Sequence, residues 1–277
     1  ATVTAAAATR ALTINTNNVG AGNITDGTAT TLTVANSGAA STPALVSAAT
    51  ATTVNLAATG AALTVATLTA AKATTVGISG DALVTVTADT LASNAVITST
   101  NTKGATLTQA LTTGQKFVGG AGADTITLTT AASVASTMGE GNDKVTLPNP
   151  FAFAVGGSID GGAGTDTLYA PAYATAVSGV TGFEILGATA AATFDATGFT
   201  GLTEATVGAT FTNVAAGVGL TVTGANAANT TTITMKDASG AADAFTVTLE
   251  NSTAATAATG GTIAAAGVEN FTIVSNG

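Results

Sequence analysis

Cysteine, histidine and tryptophan are all absent from these 277 residues, and Lys and Arg together number only six. Without Cys no disulfide can staple the fold, so an extracellular chain would need another reinforcement, and bound metal is one option. Without His or Cys, zinc, copper and haem lose their usual ligands. Every His-dependent catalytic triad and the H-E-x-x-H zinc helix are excluded as well. The six cations, Arg10, Lys72, Lys103, Lys116, Lys144 and Lys236, are scattered. They cannot form the basic stripe that nucleic acid requires, nor supply the cationic base that a polysaccharide lyase would need, so no enzyme is expected. Charged residues are 8% of the chain, against about 25% in an ordinary soluble protein. No apolar run of about 18 residues is free of Thr, Ser and Gly, so no membrane span is expected. Ala1 to Thr9 has neither the basic start nor the Leu-rich core of a secretory leader.

What is present is Ala, Thr, Gly, Val and Leu, with 46% hydrophobic residues and 4% aromatics. Side chains this small make a thin core and let backbone layers approach closely, which suits a narrow coil of strands. The mean hydropathy of +0.49 argues against a solvated disordered tail. The formal net charge of −9 makes divalent cations the natural partners.

Thr31-Leu32-Thr33-Val34, Leu83-Val84-Thr85-Val86-Thr87 and Thr246-Val247-Thr248-Leu249 alternate with period two, the pattern of half-buried strands. Gly, Asn, Asp and Ser punctuate them as turns. Only Ala5–Ala8 and Ala254–Ala258 read as short helices. Ala51-Thr52-Thr53-Val54 recurs as Ala73-Thr74-Thr75-Val76, a shift of 22 residues (51 to 73), each copy followed by an apolar second residue, Leu56 and Ile78. That spacing fits one coil of a β-solenoid. Gly182-Phe183-Glu184-Ile185-Leu186 is echoed by Gly267-Val268-Glu269-Asn270-Phe271. Each Glu is either an outward-facing strand residue or a carboxylate at a coil edge within reach of a cation.

Three parts are expected: Ala/Thr-rich strands over 1–115, glycine–aspartate motifs over 116–170, and strands again over 171–277. The chain starts without Met and stops just after a strand-like run, and it reads as a fragment of a longer protein or a processed one.

The middle part carries the chemistry. Gly119-Gly120-Ala121-Gly122-Ala123-Asp124-Thr125-Ile126-Thr127 and Gly161-Gly162-Ala163-Gly164-Thr165-Asp166-Thr167-Leu168-Tyr169 both satisfy G-G-x-G-x-D-x-U-x, where U is a large apolar residue. Between them, Met138-Gly139-Glu140-Gly141-Asn142-Asp143-Lys144-Val145-Thr146 departs only in its first Gly. Glycines let backbone carbonyls turn toward an ion. Asp supplies the hard anionic oxygen that calcium prefers, and one such turn has too few oxygens for the six to eight that calcium takes. Two stacked turns have enough. The copies begin at 119, 138 and 161, so each interval is about one coil of two nonapeptides, roughly 18 residues, with a small insertion. Three turns on one edge would leave two inter-turn sites for calcium. Five acids, Asp124, Glu140, Asp143, Asp160 and Asp166, crowd this segment beside Lys144, and their repulsion favours folding only with a cation present. A degenerate trace, Ala238 to Phe245, keeps Asp243 and Phe245 but not the glycines.

At these motifs the chain resembles the RTX family of secreted bacterial repeat proteins. In its Ala/Thr/Gly/Val-rich composition, lack of Cys and scarcity of Lys it resembles, within that family, the surface-layer (S-layer) proteins of Gram-negative bacteria. The resemblance implies an all-β fold, an elongated right-handed parallel β-helix or β-roll with stacked calcium-binding turns. It implies several Ca2+ ions held by glycine-turn carbonyls and Asp carboxylates. Carried onto this sequence, the ligand turns are Gly119, Gly120, Ala121, Gly122 and Asp124; Met138, Gly139, Glu140, Gly141 and Asp143; and Asp160, Gly161, Gly162, Ala163, Gly164 and Asp166. Met138 in place of Gly is expected to strain the middle turn or narrow its site. The resemblance further implies type I secretion, a cell-surface location, self-association into a lattice, and lipopolysaccharide as a partner through regions not identifiable in this sequence. An RTX adhesin segment is the alternative, with the loop Pro148-Asn149-Pro150-Phe151-Ala152-Phe153 as its best contact. The RTX tail of a secreted hydrolase and an amyloid- or silk-like material are weaker readings.

Overall fold

The computed structural model describes residues 2–3, 10–205, 208–224, 229–239, 243–250 and 261–276. Its strands run parallel and stack as a β-solenoid of about ten turns, with no helix among the described residues. The two Ala-rich stretches read as helices, Ala5–Ala8 and Ala254–Ala258, lie outside the described residues.

The chain divides into two compact units, Ala1–Val145 with Ala152–Gly164, and Thr146–Phe151 with Thr165–Gly277. In the first unit one sheet runs through Asn23–Asp26, Leu45–Ala48, Leu63–Ala70, Val84–Leu91, Ala105–Leu111 and Thr125–Leu128. The other runs through Ala11–Thr16, Thr31–Ser37, Thr53–Thr59, Thr75–Gly80, Val96–Ser99, Lys116–Val118, Ala135–Thr137 and Ser158–Asp160. The repeat legible in sequence is the coil itself: Thr53 pairs with Thr75, Val54 with Val76 and Leu56 with Ile78.

Period-two alternation sends every second side chain inward, and parallel register stacks like on like. Leu32, Val54, Val76, Ile97 and Phe117 form one such column, all buried. Burying each aliphatic residue contributes about 1.5–3 kcal/mol, and the outward Thr of the same strands suits a pleated, half-exposed surface. Near the start of this unit Arg10 pairs with buried Asp26, whose Oδ1 also accepts the N–H groups of Thr28 and Ala29. Burial pushes the Asp26 carboxyl up, but these hydrogen bonds and the guanidinium outweigh it and hold it below the usual range.

In the second unit one sheet runs through Thr167–Ala170, Ile185–Ala188, Gly201–Glu204, Gly219–Val222, Ala244–Glu250 and Asn270–Asn276. The other comprises Thr193–Asp195, Thr210–Val214, Thr230–Met235 and Thr262–Ala266. Leu168, Leu186, Leu202, Leu220 and Val247 stack through the first sheet. Phe194 stacks on Phe211 in the second, with ring centroids 5.4 Å apart.

Candidate metal site

The glycine turns at 119–122, 138–141 and 161–164 stack in the first unit; the tail of the third motif, from Thr165, belongs to the second. The Glu140 N–H donates to the Gly120 carbonyl at 2.6 Å, and the Ala163 N–H to the Gly139 carbonyl at 2.8 Å. Gly141 N–H returns a bond to Ala163 O at 2.9 Å. The turns around 119, 138 and 161 are therefore bonded edge to edge, as their spacing predicts. Their apolar residues Ile126, Val145 and Leu168 are fully buried.

The glycines are required mainly by this close approach. A Cβ on Gly119 would stand 1.7 Å from Met138 O, and one on Gly164 would stand 1.6 Å from Gly141 O. Gly164 also holds φ at 145°, a conformation side-chain-bearing residues avoid. Met138 escapes the restriction because its side chain turns into the core, where it is fully buried, while its N–H donates to Asp160 O at 2.9 Å.

The five acids separate into two classes. Asp124, Asp143 and Asp166 are fully buried, each one residue before a strand; Glu140 on its turn and Asp160 at the end of the strand Ser158–Asp160 are exposed. Asp124 Oδ1 accepts the Ala105 N–H of the preceding coil at 2.6 Å, and Asp143 Oδ1 accepts the Asp124 N–H at 2.6 Å. The same clasp recurs in the second unit. Glu184 Oε2 accepts the Asp166 N–H at 2.8 Å, and Glu269 Oε2 accepts the Asp243 N–H at 3.0 Å. The two echoed Glu are thus not outward strand residues: they lie at the coil edge, in the place of the motif Asp immediately before a strand. Asp243, from the degenerate trace, occupies that position too; residues 240–242 of the trace lie outside the described residues.

Sequence reasoning missed the turn beneath the first motif, Ser99 to Gly104, because it has no Gly–Asp signature. Gly120 lies against the Ser99 carbonyl, and Gly122 against Asn101 O and Gly104 N. Asn101, fully buried, donates to the carbonyls of Ser79 and Ala82 and accepts the Lys103 N–H. Its amide braces a turn that ends on Gly104, whose φ of 95° and close approach to the Ala123 carbonyl match the motif glycines.

Asp124 Oδ2 and Ser99 Oγ are both buried and neither completes a hydrogen bond. Burial pushes the Asp124 carboxyl up to about 6, against opposing pulls from the N–H groups of Ala105 and Gly120 and from the nearby Ser99 hydroxyl. An ionised carboxylate buried with an unmet oxygen is costly unless a cation or proton reaches it. The point where a Gly119 Cβ would stand lies 2.7 Å from Asp124 Oδ2 as well as 1.7 Å from Met138 O, so oxygens from successive turns converge there. Among the described residues no group of three or more Asp, Glu, His or Cys is close enough to hold a metal. A cation here must take backbone carbonyls with one or two carboxylates, a donor set suited to calcium and unsuited to zinc or copper.

The loop Pro148–Phe153 contains a cis Asn149–Pro150 bond, and Phe151 and Phe153 are each half-buried, the latter lying against Gly157. No protein-family model matches the chain, and no curated protein matches it.

Proposed function

We propose that this chain is a calcium-stabilised structural protein of the bacterial cell surface, an RTX-type component of a self-assembling S-layer lattice exported by type I secretion. The observation that carries the reading is the buried Asp124 carboxylate, whose Oδ2 completes no hydrogen bond and stands at the Gly119 turn, where the Met138 carbonyl of the next coil also approaches. The residues that would hold calcium are Asp124 and Asp143 with the carbonyls of the turns at 119–122 and 138–141. The corresponding turn at 161–164 carries the glycines of the third copy. Bound calcium would supply positive charge to carboxylates that otherwise repel one another in a medium of low dielectric. The protein's own contribution is a stack of glycine turns, close enough for oxygens of successive coils to share an ion.

Folding and export follow from that coupling. In a calcium-poor cell the charged segment stays open, and outside, millimolar calcium exceeds the dissociation constants of about 10⁻⁴–10⁻³ M common in extracellular modules. A cation that binds only the folded state stabilises it by mass action. A structural rather than catalytic role accords with the absence of His and Cys and the six scattered cations. Circular dichroism in millimolar calcium and in EGTA tests the coupling: the β signal should fall in chelator, and an unchanged signal contradicts it. Electron microscopy of the calcium-loaded protein tests the lattice: ordered sheets support it, and isolated rods favour an adhesin.

A further inference from the structure

The outer face of the first sheet in the second unit carries a trough of about 270 Å³ that the calcium reading does not use. Two ranks of outward positions cross the strands. One runs Ile185, Gly201, Gly219; the other runs Tyr169, Gly187, Thr203, Thr221. The Tyr169 ring lies over Gly187, where a Cβ would come within 2.4 Å of its Cδ1. Gly187 is therefore required by the tyrosine. Gly201 has no such reason. Its φ is not left-handed, its pairing with Ile185 and Gly219 is regular, and a Cβ there would meet only Ile185 Cγ1 at 3.4 Å, an ordinary contact. Glycine inside a strand weakens it, and without a bulge it marks a place where something else approaches the backbone closely.

We propose that this trough binds an uncharged glycan chain. No residue lining it is charged, which disfavours acidic polysaccharides, phosphates and charged peptides. Tyr169 offers a half-buried aromatic platform at one end, an amphipathic surface for the apolar face of a sugar ring. Thr203 and Thr221 line one side, and the glycine floor admits the ring edge. The strands Ile185–Ala188 and Gly201–Glu204 are paired on both sides, so a peptide cannot add to the sheet here. It would find only side-chain hydroxyls for its own backbone groups, and a segment of a second copy is disfavoured for that reason.

The test uses the full chain in calcium with three neutral probes, cellohexaose, maltohexaose and mannohexaose, and a polygalacturonate control, followed by calorimetry and by methyl NMR of the threonines. At least one neutral hexaose should bind and shift Thr203 and Thr221, while polygalacturonate does not. Gly201→Val, which fills the trough, should weaken binding at least tenfold, as should Tyr169→Ala, with Thr85→Val in the first unit unchanged. Should Gly201→Val not fold, Tyr169→Ala and the wild-type NMR shifts still decide. Absence of binding by all three probes at millimolar concentration overturns the proposal. So does affinity retained in Tyr169→Ala, or wild-type self-association that neutral sugar does not disturb and Gly201→Val abolishes. Sugar binding is read separately from the loss of β signal in EGTA, so either reading can fail without the other.

Discussion

Asp143 reaches back one coil to accept the backbone N–H of Asp124 at 2.6 Å. The motif aspartate thus has two separable tasks. One oxygen fixes the register of the preceding coil by satisfying an N–H that would otherwise be buried unpaired; under the proposed function, its charge is what would attract a cation. Carboxylates at the same place in coils without the glycine motif, such as Glu269, perform the first task.

Substitutions at Asp143 separate the tasks. Asp143→Ala leaves the Asp124 N–H without its acceptor and should cost about 1–3 kcal/mol with or without calcium. Asp143→Asn keeps an acceptor oxygen and loses the charge. It should match or exceed the wild type in EGTA and show a reduced gain on adding calcium, read as melting temperatures under both conditions.

Protons should partly replace calcium. The Asp124 carboxyl titrates in the folded protein at about 6, above its ordinary value of 3.8, because burial disfavours the charged form. The folded state therefore holds the proton more tightly than the unfolded chain does. In chelator, stability should rise as the pH falls from about 7 through 6 toward 4. The gain is at most roughly 3 kcal/mol, since each tenfold difference in proton affinity is worth about 1.4 kcal/mol, and it is smaller where water screens the carboxyl. Below about 4 the gain ends, and protonation of Asp26, held below 3.8 by its hydrogen bonds and Arg10, works the other way. Melting curves in EGTA at pH 7.5 and 5.0 check the sign, and in calcium the difference should shrink or reverse.

Glu184 should act as a clasp and not as an ion ligand. Glu184→Ala removes the acceptor of the Asp166 N–H and should speed hydrogen exchange at the Asp166 amide while leaving calcium stoichiometry unchanged. Glu184→Gln, which retains an oxygen at that place, should restore most of the protection.

Two glycines with positive φ should respond very differently to alanine. Gly164→Ala places a Cβ 1.6 Å from the Gly141 carbonyl and should separate the stacked turns, with loss of calcium binding. Gly60 also has a positive φ, 72°, but nothing lies within 4 Å of its Cβ direction. Gly60→Ala should cost only the left-handed backbone penalty, about 1 kcal/mol, measured by thermal denaturation.

Much of the coil was legible because its signals are local. Alternation in Thr31–Val34 states which side chains face inward, and the echo of Ala51–Val54 at Ala73–Val76 is the coil register itself. The glycine–aspartate turns were legible because few residues other than Gly could stand where Gly119 and Gly164 approach the next coil. Relationships that arise only after stacking were not. Glu184 looks like part of an alternating strand until the neighbouring coil brings the Asp166 N–H to it. The Ser99–Gly104 turn carries no motif, yet it lies directly beneath one, because Asn101 braces it with side-chain amide bonds and Gly104 alone makes the close approach to the next coil. Gly201 reads as ordinary turn punctuation in sequence, and only the regular pairing of its strand reveals that nothing in the chain itself requires it.

An anomalous difference map from crystals of the full chain grown in millimolar calcium tests the stacked-turn site most directly. It should place an ion about 2.3–2.6 Å from Asp124 Oδ2 and from carbonyl oxygens of two successive glycine turns. Well-ordered turns with no anomalous peak, and Asp124 Oδ2 satisfied by the Ser99 hydroxyl alone, would contradict it.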